Sequence, residues 1–168
     1  MSKFLNVPKR RQKELQAQFP DLLKLWACEE TDKYHYLAIS IFDHWLTNDE
    51  CDDLLVNIGD SEQSRRNCLF DRFNELLITK TEILHITQRG SYRPYPKFRE
   101  FISRQAAQQC LNHTSTQRYG VVLPEFGVVY FESYDDTNAL YFRDMKHQSK
   151  FKDWAQQVGL NYIDPPTK

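Results

Sequence analysis

Hydrophobic positions in the first two-thirds of the chain recur mainly at helical spacing. Leu69, Phe73, Leu76 and Leu77 form one such apolar stripe, which is typical of an amphipathic helix. Pro8 suits the first turn of a helix, and Pro20 disfavours helical backbone in the residue before it. The pattern predicts helices over 8–19, 21–30, 48–58, 61–80 and 97–111.

Two segments of this region fit more than one interpretation. In residues 34–46, Leu37, Ile41 and Trp45 recur every four positions, which indicates a helix, whereas the β-branched and aromatic content favours a strand. We favour the helix, because the neighbouring segments on both sides are helical. Residues 81–96 are predicted to form either a helical continuation or a short strand followed by an irregular loop.

The start of the helix over 48–58 carries a recognisable signal. Thr47 stands three residues before Glu50, which is the capping-box spacing. Gly59 is predicted to end this helix, and Asp60 or Ser61 to cap the next one.

After residue 118 the period of the apolar positions changes from 3.6 to 2. RYGVVL, VVYFES and ALYFRD read as three strands joined by turns, a helix ends at Gly159, and LNYI reads as a fourth strand. The predicted fold class is therefore α+β, with a helical N-terminal two-thirds packed against a small antiparallel βββαβ sheet at the C-terminus. We predict one domain over 1–168, mainly helical over 1–117, with the β-meander, helix and final strand over 118–164.

The second and third strands are apolar or aromatic at successive positions, so neither face is polar. Val128 and Tyr130 point one way and Val129 and Phe131 the other. An antiparallel sheet needs only one covered face, so this sheet is predicted to be covered on both. One cover is the helices; the other is either the N-terminal helices or a partner protein, since tyrosine is enriched at interfaces.

Composition excludes several classes of protein. Of 168 residues, 40 % are hydrophobic and 27 % charged, as in soluble globular proteins. No apolar run is long enough for a secretory signal or a membrane span, so we expect a cytoplasmic protein without membrane contact. The net charge of −1 conceals four blocks of opposite sign, namely +4 over 1–20, −9 over 21–64, +6 over 65–118 and −2 over 119–168.

The sequence contains no catalytic or cofactor signature. The four cysteines form no C-x-x-C pair, and the five histidines have no metal-ligand spacing. Glu132, Asp135 and Asp136 cluster at a strand end and turn, where carboxylates could bind a divalent cation. A metal-dependent hydrolase or nuclease therefore remains an alternative, although we predict no catalytic residue, metal or cofactor.

Residues 88–100 interleave basic and aromatic side chains, a pattern that suits single-stranded nucleic acid. The sequence pI of about 6.5 opposes this interpretation, because dedicated nucleic-acid-binding domains are strongly basic. We therefore do not expect nucleic acid as the partner.

The run LPEFGVVYFESYDDTNALYFRD, followed by FKDWAQQVGLNYI, resembles the C-terminal part of small bacterial immunity proteins of polymorphic or type VI toxin systems. The resemblance covers about the last fifty residues. It implies that the protein is not an enzyme, but a cytoplasmic inhibitor that binds a cognate toxin and blocks its active site.

The leading hypothesis is accordingly a protein-binding module that neutralises a toxin, with a regulatory interaction protein of another kind as a further alternative. Either the acidic block between Asp43 and Glu62 or the aromatic sheet is the binding face, since charge complementarity speeds association and aromatic residues anchor interfaces. The oligomeric state stays open, with a dimer as one option. The predicted partner-binding residues are Asp49, Glu50, Asp52, Asp53, Tyr130, Glu132, Tyr134, Asp135, Asp136 and Tyr141.

Overall fold

The fold is built on one antiparallel sheet with helices on both of its faces. The computed structural model of the protein describes residues 2–87, 95–112 and 118–166. The strands are β1 Phe4–Asn6, β2 His35–Ser40, β3 Leu84–Thr87, β4 Lys97–Phe101, β5 Gly120–Leu123, β6 Val128–Phe131, β7 Thr137–Phe142 and β8 Asn161–Ile163. The α-helices are α1 Lys9–Gln18, α2 Leu22–Trp26, α3 Asn48–Cys51, α4 Asp60–Lys80, α5 Arg104–Cys110 and α6 Gln148–Val158.

Within the described ranges, the sheet has eight strands in the order β1-β4-β3-β5-β6-β7-β2-β8. The predicted small C-terminal sheet is therefore wrong, because β1 to β4 all come from the supposedly helical two-thirds of the chain. The predicted meander β5-β6-β7 is present at the centre of the sheet. The final strand does not return to this meander; it pairs with β2.

The helix predicted over 34–46 is wrong where β2 forms. His35–Ser40 pairs along its whole length with β7, and Ala38–Ser40 also pairs with β8. Leu37 and Ile39 point to one core and Ala38 to the opposite face, all fully buried. Because both faces of this strand are covered, its sequence lacks the polar alternation that identifies a half-exposed strand.

The helix predicted over 97–111 begins too early. Residues Lys97–Phe101 form β4, and α5 starts only after Ser103, whose hydroxyl accepts a hydrogen bond from the amide of Ala106 at 3.1 Å. Ser103 is thus the N-cap of α5, whereas the apolar stripe predicted that the helix already included this residue. For residues 81–96 the strand alternative is confirmed by β3, whereas residues 88–94 lie outside the described part of the chain.

Several predicted helix boundaries are confirmed. Helix α1 begins directly after Pro8, and Thr47 and Glu50 form the predicted capping box. Gly159 closes α6 with a φ of 92°, a conformation that favours glycine. Gly59 does not end the preceding helix: its φ of −81° is not left-handed, and it is the residue directly before α4.

A short π-helical turn follows α3 and shapes the acidic block. It spans Asp52–Val56 and ends at Asn57, whose amide donates to the carbonyl of Asp52 at 2.9 Å. Residues 48–56 of the acidic block therefore form two short helical turns rather than one regular helix.

Each face of the sheet has its own hydrophobic core. One core lies between the sheet and α4, α5 and α6, and the other between the sheet and α1 and α2. The prediction that both faces are covered is thus confirmed, and both covers come from this chain. The first core includes Phe70, Phe73, Tyr130, Phe142 and Phe151; the second includes Leu15, Phe19, Leu22, Phe98 and Val129.

Gly120 lets the two layers of the second core approach closely. A side-chain carbon at this position would collide with the rings of Trp26 and Phe131. Those rings pack edge to face with their centroids 5.2 Å apart, which is a favourable geometry. None of the helices in the described part of the chain combines the length and the apolar character needed to cross a membrane.

Candidate functional site

Two adjoining clefts lie where β7 and β2 carry partly exposed tyrosines, and Tyr36 lines both of them. Together we call them the acidic–aromatic groove. The first cleft has a volume of about 560 Å³ and the second about 340 Å³. The first is lined by Leu25, Cys28, Glu29, Glu30, Thr31, Asp32, Tyr34, Tyr36 and Tyr141.

Three tyrosines form the floor of the first cleft. Tyr36 and Tyr141 are directly opposite in the β2–β7 ladder, and their ring centroids are 5.2 Å apart. Tyr34 packs edge to face on Tyr141 at 6.4 Å and donates its hydroxyl proton to the carbonyl of Pro20 at 2.8 Å. Burial, with Tyr141 as a second cause, raises the pKa of Tyr36 to about 12, so this hydroxyl stays protonated at neutral pH.

The rim of the first cleft is acidic. Glu29, Glu30 and Asp32 are exposed in the segment that follows α2. Asp32 pairs with Lys33 at 3.3 Å, whereas Glu29 and Glu30 form no ion pair with any residue that the structure describes. Two carboxylates therefore face solvent above a floor of aromatic rings.

The second cleft is built around Trp45 and Tyr134. Trp45 stacks on Tyr36 with a centroid distance of 6.3 Å and an interplanar angle of 18°, and its indole N–H donates to the carbonyl of Asp164 at 3.1 Å. Trp45 is 41 % exposed and Tyr134 is 67 % exposed, unusually high values for large aromatic side chains. Scattered exposed aromatics are ordinary on a surface, but two on one cleft form an apolar binding surface.

The β6–β7 turn presents Tyr134 to solvent. Asp135 and Asp136 have φ values of 59° and 50°, and the amide of Thr137 donates to the carbonyl of Tyr134 at 3.1 Å. Left-handed backbone at both central residues is what a type I′ hairpin turn requires, and aspartate tolerates it better than most residues.

A buried arginine anchors this turn to α4 and to the acidic block. Arg66 is 4 % exposed, and its guanidinium donates to the carboxylate of Asp136 at 2.9 Å and to the carbonyl of Leu54 at 2.7 Å. It also donates to Glu62 at 2.9 Å. Gln63 donates to the other oxygen of Asp136 at 2.9 Å. Both oxygens of Asp136 are thus occupied inside the protein.

The acidic block lies beside the second cleft and is held in place by His44. The imidazole of His44 lies 2.6 Å from the carboxylate of Asp43 and 2.9 Å from that of Glu50, and these two hydrogen bonds raise its pKa. The amide of Thr47 donates to Glu50 at 2.8 Å, and this bond together with His44 lowers the pKa of Glu50 to about 2.

The structure brings many of the predicted partner-binding residues to this groove. Tyr134 and Asp135 line the second cleft, and Tyr141 lines the first. Glu50 contacts His44, which also lines the second cleft. On the adjoining helical turns, three further predicted carboxylates are exposed, namely those of Asp49, Asp52 and Asp53.

Tyr130 does not lie on the surface, and its prediction as a partner-contacting residue is wrong for this fold. It is fully buried and donates its hydroxyl proton to the side-chain oxygen of Asn74 at 2.8 Å. Asn138 donates to the hydroxyls of Tyr130 and Tyr119 at 2.7 and 3.1 Å. This network provides hydrogen-bond partners for polar groups inside the core, so the role of Tyr130 is structural.

Asp136 and Glu132 also differ from the surface carboxylates that the sequence suggested. Asp136 forms an ion pair with the buried Arg66, and Glu132 is half-buried at the end of β6. Burial raises the pKa of Glu132 to about 7, with Asp71 adding to this effect and Arg118 and a backbone hydrogen bond of Tyr119 opposing it. No group of three or more histidine, cysteine or acidic side chains in the described ranges could hold a metal ion. His113 lies outside those ranges.

Sequence reasoning missed the aromatic floor and its acidic rim. Tyr34, Tyr36 and Trp45 were within the segment interpreted as a helix, and Glu29 and Glu30 were placed within a short second helix. Interpreting residues 34–40 as a strand would have placed Tyr34 and Tyr36 on one face, because strand side chains alternate.

A third cleft of about 690 Å³ lies between α4, α5 and α6. Its lining contains two acidic and two basic side chains, and one pair of these, Arg104 and Glu75, is in contact. It therefore lacks the excess of negative charge that characterises the acidic–aromatic groove.

No family model matches this chain, and comparisons with curated proteins and with solved structures also found no match.

Proposed function

We propose that the protein is a binding module whose acidic–aromatic groove receives a positively charged segment of another protein. The observation that supports this proposal is the convergence of partly exposed rings from Tyr36 and Trp45 with the carboxylates of Glu29 and Glu30, which form no ion pair with a described residue. Tyr134 adds an exposed ring, and the guanidinium of Arg118 already lies over one of its faces. Neither feature alone would specify a partner, but together they match the chemistry of lysine and arginine side chains.

The groove offers two interactions to such side chains. A guanidinium or ammonium group over a tyrosine or tryptophan face gains about 0.5–2 kcal/mol, depending on how far it is desolvated. The carboxylates on the rim add complementary charge, which mainly accelerates association. Aromatic anchors inside a charged rim are also the arrangement found at the energetic centres of protein interfaces.

The acidic block extends this surface beyond the clefts. Asp49, Asp52 and Asp53 are exposed next to the second cleft and form no ion pair with a described residue. A stable interface covers roughly 800 Å² on each partner, which is more than the two clefts alone provide. We therefore include the acidic block in the proposed interface.

More specifically, we propose a toxin-neutralising immunity protein. The resemblance of the last fifty residues to such proteins supports this, and an acidic surface is suited to covering a basic active site. The regulatory alternative uses the same groove with a partner that is not a toxin.

The test is a binding measurement between the purified protein and the purified product of the neighbouring reading frame. We expect Trp45→Ala combined with Tyr134→Ala to weaken the complex by at least about 100-fold, since two anchoring rings are removed. We expect Glu29→Gln combined with Glu30→Gln to reduce the association rate mainly at low salt.

Matched controls separate these effects from a general loss of negative charge. Glu100→Gln combined with Asp153→Asn also removes two exposed carboxylates, but both lie away from the groove. Equal effects of the two double charge variants would contradict the groove as the binding site. A tight complex with a partner lacking toxicity would support the regulatory alternative instead.

A further inference from the structure

Three buried polar atoms in the β3–β4 ladder lack a hydrogen-bond partner. They are Nδ1 of His85, Oγ1 of Thr87 and Nε of Arg99. In the described part of the chain, these are the buried side-chain nitrogen and oxygen atoms without any partner. A buried polar atom without a hydrogen bond destabilises the folded state, so three in one place require an explanation.

The strand register brings these side chains together on one face of the sheet. His85 is directly opposite Arg99, and Thr87 is directly opposite Lys97. Directly opposed residues in an antiparallel pair have Cβ atoms about 5 Å apart, and diagonal neighbours remain within reach of long side chains. All four side chains therefore surround one small area.

The area carries positive charge from Lys97 and Arg99. Lys97 and Arg99 form no ion pair with a described carboxylate, whereas Glu100 points to the other face because side chains alternate along β4. Burial, followed by the charge of Arg99, lowers the pKa of His85 to about 4. His85 is thus neutral at pH 7 and can present one ring N–H as a donor.

Aromatic rings fix the position of the histidine. The ring of Phe4 lies 4.4 Å from that of His85, and the ring of Phe101 lies 6.1 Å from it, measured between centroids. Phe4 and Phe101 also contact each other at 5.4 Å. The imidazole is therefore held by packing rather than by hydrogen bonds to its Nδ1 atom.

We propose that this area is a binding site for a phosphate group, which His85, Thr87, Lys97 and Arg99 contact together. A phosphate offers several acceptor oxygens to donors arriving from two strands, and arginine is suited to recognising it. Nδ1–H of His85, the hydroxyl of Thr87 and Nε–H of Arg99 each gain a partner, while Lys97 contributes charge. The site is at the opposite end of the sheet from the acidic–aromatic groove and does not depend on the function proposed for that groove.

The test is thermal unfolding of the protein with increasing inorganic phosphate, at constant ionic strength maintained with chloride. We expect the melting temperature to rise by about 3–6 °C at ten times the dissociation constant. Thr87→Val is nearly isosteric and should weaken phosphate binding about tenfold, and Arg99→Gln should weaken it further. Lys13→Gln, which removes an exposed cation on α1, is the matched control and should retain the affinity of the unaltered protein.

A second measurement needs no variant and is unaffected if a variant misfolds. In the unaltered protein, phosphate should shift the ring nitrogen and proton resonances of His85 and leave those of the exposed His35 unchanged. Titration with a nucleoside monophosphate separates the two sources of the phosphate group. Tighter binding than that of inorganic phosphate indicates a nucleotide, and equal binding indicates the free anion. No thermal shift and no response of His85 with either ligand would overturn the proposal, as would equal losses in Lys13→Gln and Arg99→Gln.

Discussion

The two ends of the sheet carry opposite charge in different environments. At the β7–β2 end, Glu29 and Glu30 are exposed and form no ion pair with a described residue, so water stabilises their charge. At the β3–β4 end, the cations are half-buried and accompanied by buried polar atoms without hydrogen bonds. Unpaired exposed charges favour attraction of a large charged partner, whereas unpaired buried donors favour enclosure of a small anion.

Between these ends, a buried tyrosine has all of its hydrogen bonds made inside the protein. Tyr130 lies in the core and shares hydrogen bonds with Asn74 and Asn138. Tyr134, four residues later, is exposed on a turn. The same residue type is therefore structural at one position and accessible to a partner at another. The environment that the fold gives each side chain decides which.

The largest expected effect comes from breaking the anchor of the acidic end. Arg66→Met keeps much of the buried stem but leaves Asp136 inside the protein without its cation. We expect the free energy of unfolding to fall by about 3–5 kcal/mol, measured by urea denaturation. Arg65→Met is the matched control, because Arg65 is exposed and pairs with Glu62 only at the surface; it should change stability by less than about 1 kcal/mol. Similar losses in both variants would contradict the anchoring role of Arg66.

The next largest effect sharpens the contrast between the core and the groove. Tyr130→Phe removes one hydroxyl, so the side-chain oxygen of Asn74 loses its donor and the amide of Asn138 keeps only Tyr119 as an acceptor. We therefore expect the free energy of unfolding to fall by about 1–3 kcal/mol. Tyr134→Phe should leave the stability within about 0.5 kcal/mol, because its hydroxyl is at the surface. Denaturation curves of the two variants measure this difference, and an unchanged stability of Tyr130→Phe would show that the network contributes little.

A smaller effect concerns Glu132 and depends on pH. Its pKa of about 7 in the folded protein exceeds the ordinary value of 4.5, so the folded state retains a proton that the unfolded chain releases. The stability contributed by this group therefore decreases as pH rises from about 5 to 7. Glu132→Gln cannot lose a proton and should be more stable than the unaltered protein at pH 8, by about 1 kcal/mol after allowance for its solvated half.

Melting temperatures between pH 5 and pH 8 measure this difference. The exposed Glu125 provides the control, and Glu125→Gln should follow the pH curve of the unaltered protein. If the curve of Glu132→Gln instead stays parallel to that of the unaltered protein, burial does not control this carboxyl group.

The smallest expected effect involves His44 at the acidic end. Hydrogen bonds to Asp43 and Glu50 raise its pKa, so its stabilising contribution is complete below the ordinary value of about 6.5 and is lost as pH rises through the higher folded value. His44→Gln should lower the melting temperature slightly at pH 6 and leave it unchanged at pH 9. His35→Gln is the control, and an equal decrease there at pH 6 would contradict the role of the two carboxylates.

The sequence predicted local signals better than long-range pairing. The capping box of Thr47 and Glu50 and the closing residue Gly159 depend on neighbours within a few positions, and both predictions are confirmed. Strand β2 was missed because both of its faces are buried, so its pattern resembles a buried helix. Strand β1 was missed because three residues are too few to show a period.

The candidate groove was only partly predictable for the same reason. Its acidic block and Tyr134 follow from composition and turn chemistry, which are local properties. Its floor depends on Tyr36 lying opposite Tyr141, a pairing across more than a hundred positions that no local pattern indicates. The unpaired atoms of His85 and Arg99 likewise become visible only once β3 and β4 are placed side by side.

The insertion of β2 between β7 and β8 has a consequence for how the chain folds during synthesis. Strand β2 is synthesised early, but its two edges pair with β7 and β8. Both edges are paired only after the chain up to Ile163 has left the ribosome. Contacts between such distant positions slow folding, and unpaired strand edges can attract other chains in the meantime. The nascent protein therefore depends on its last strands to protect one of its first.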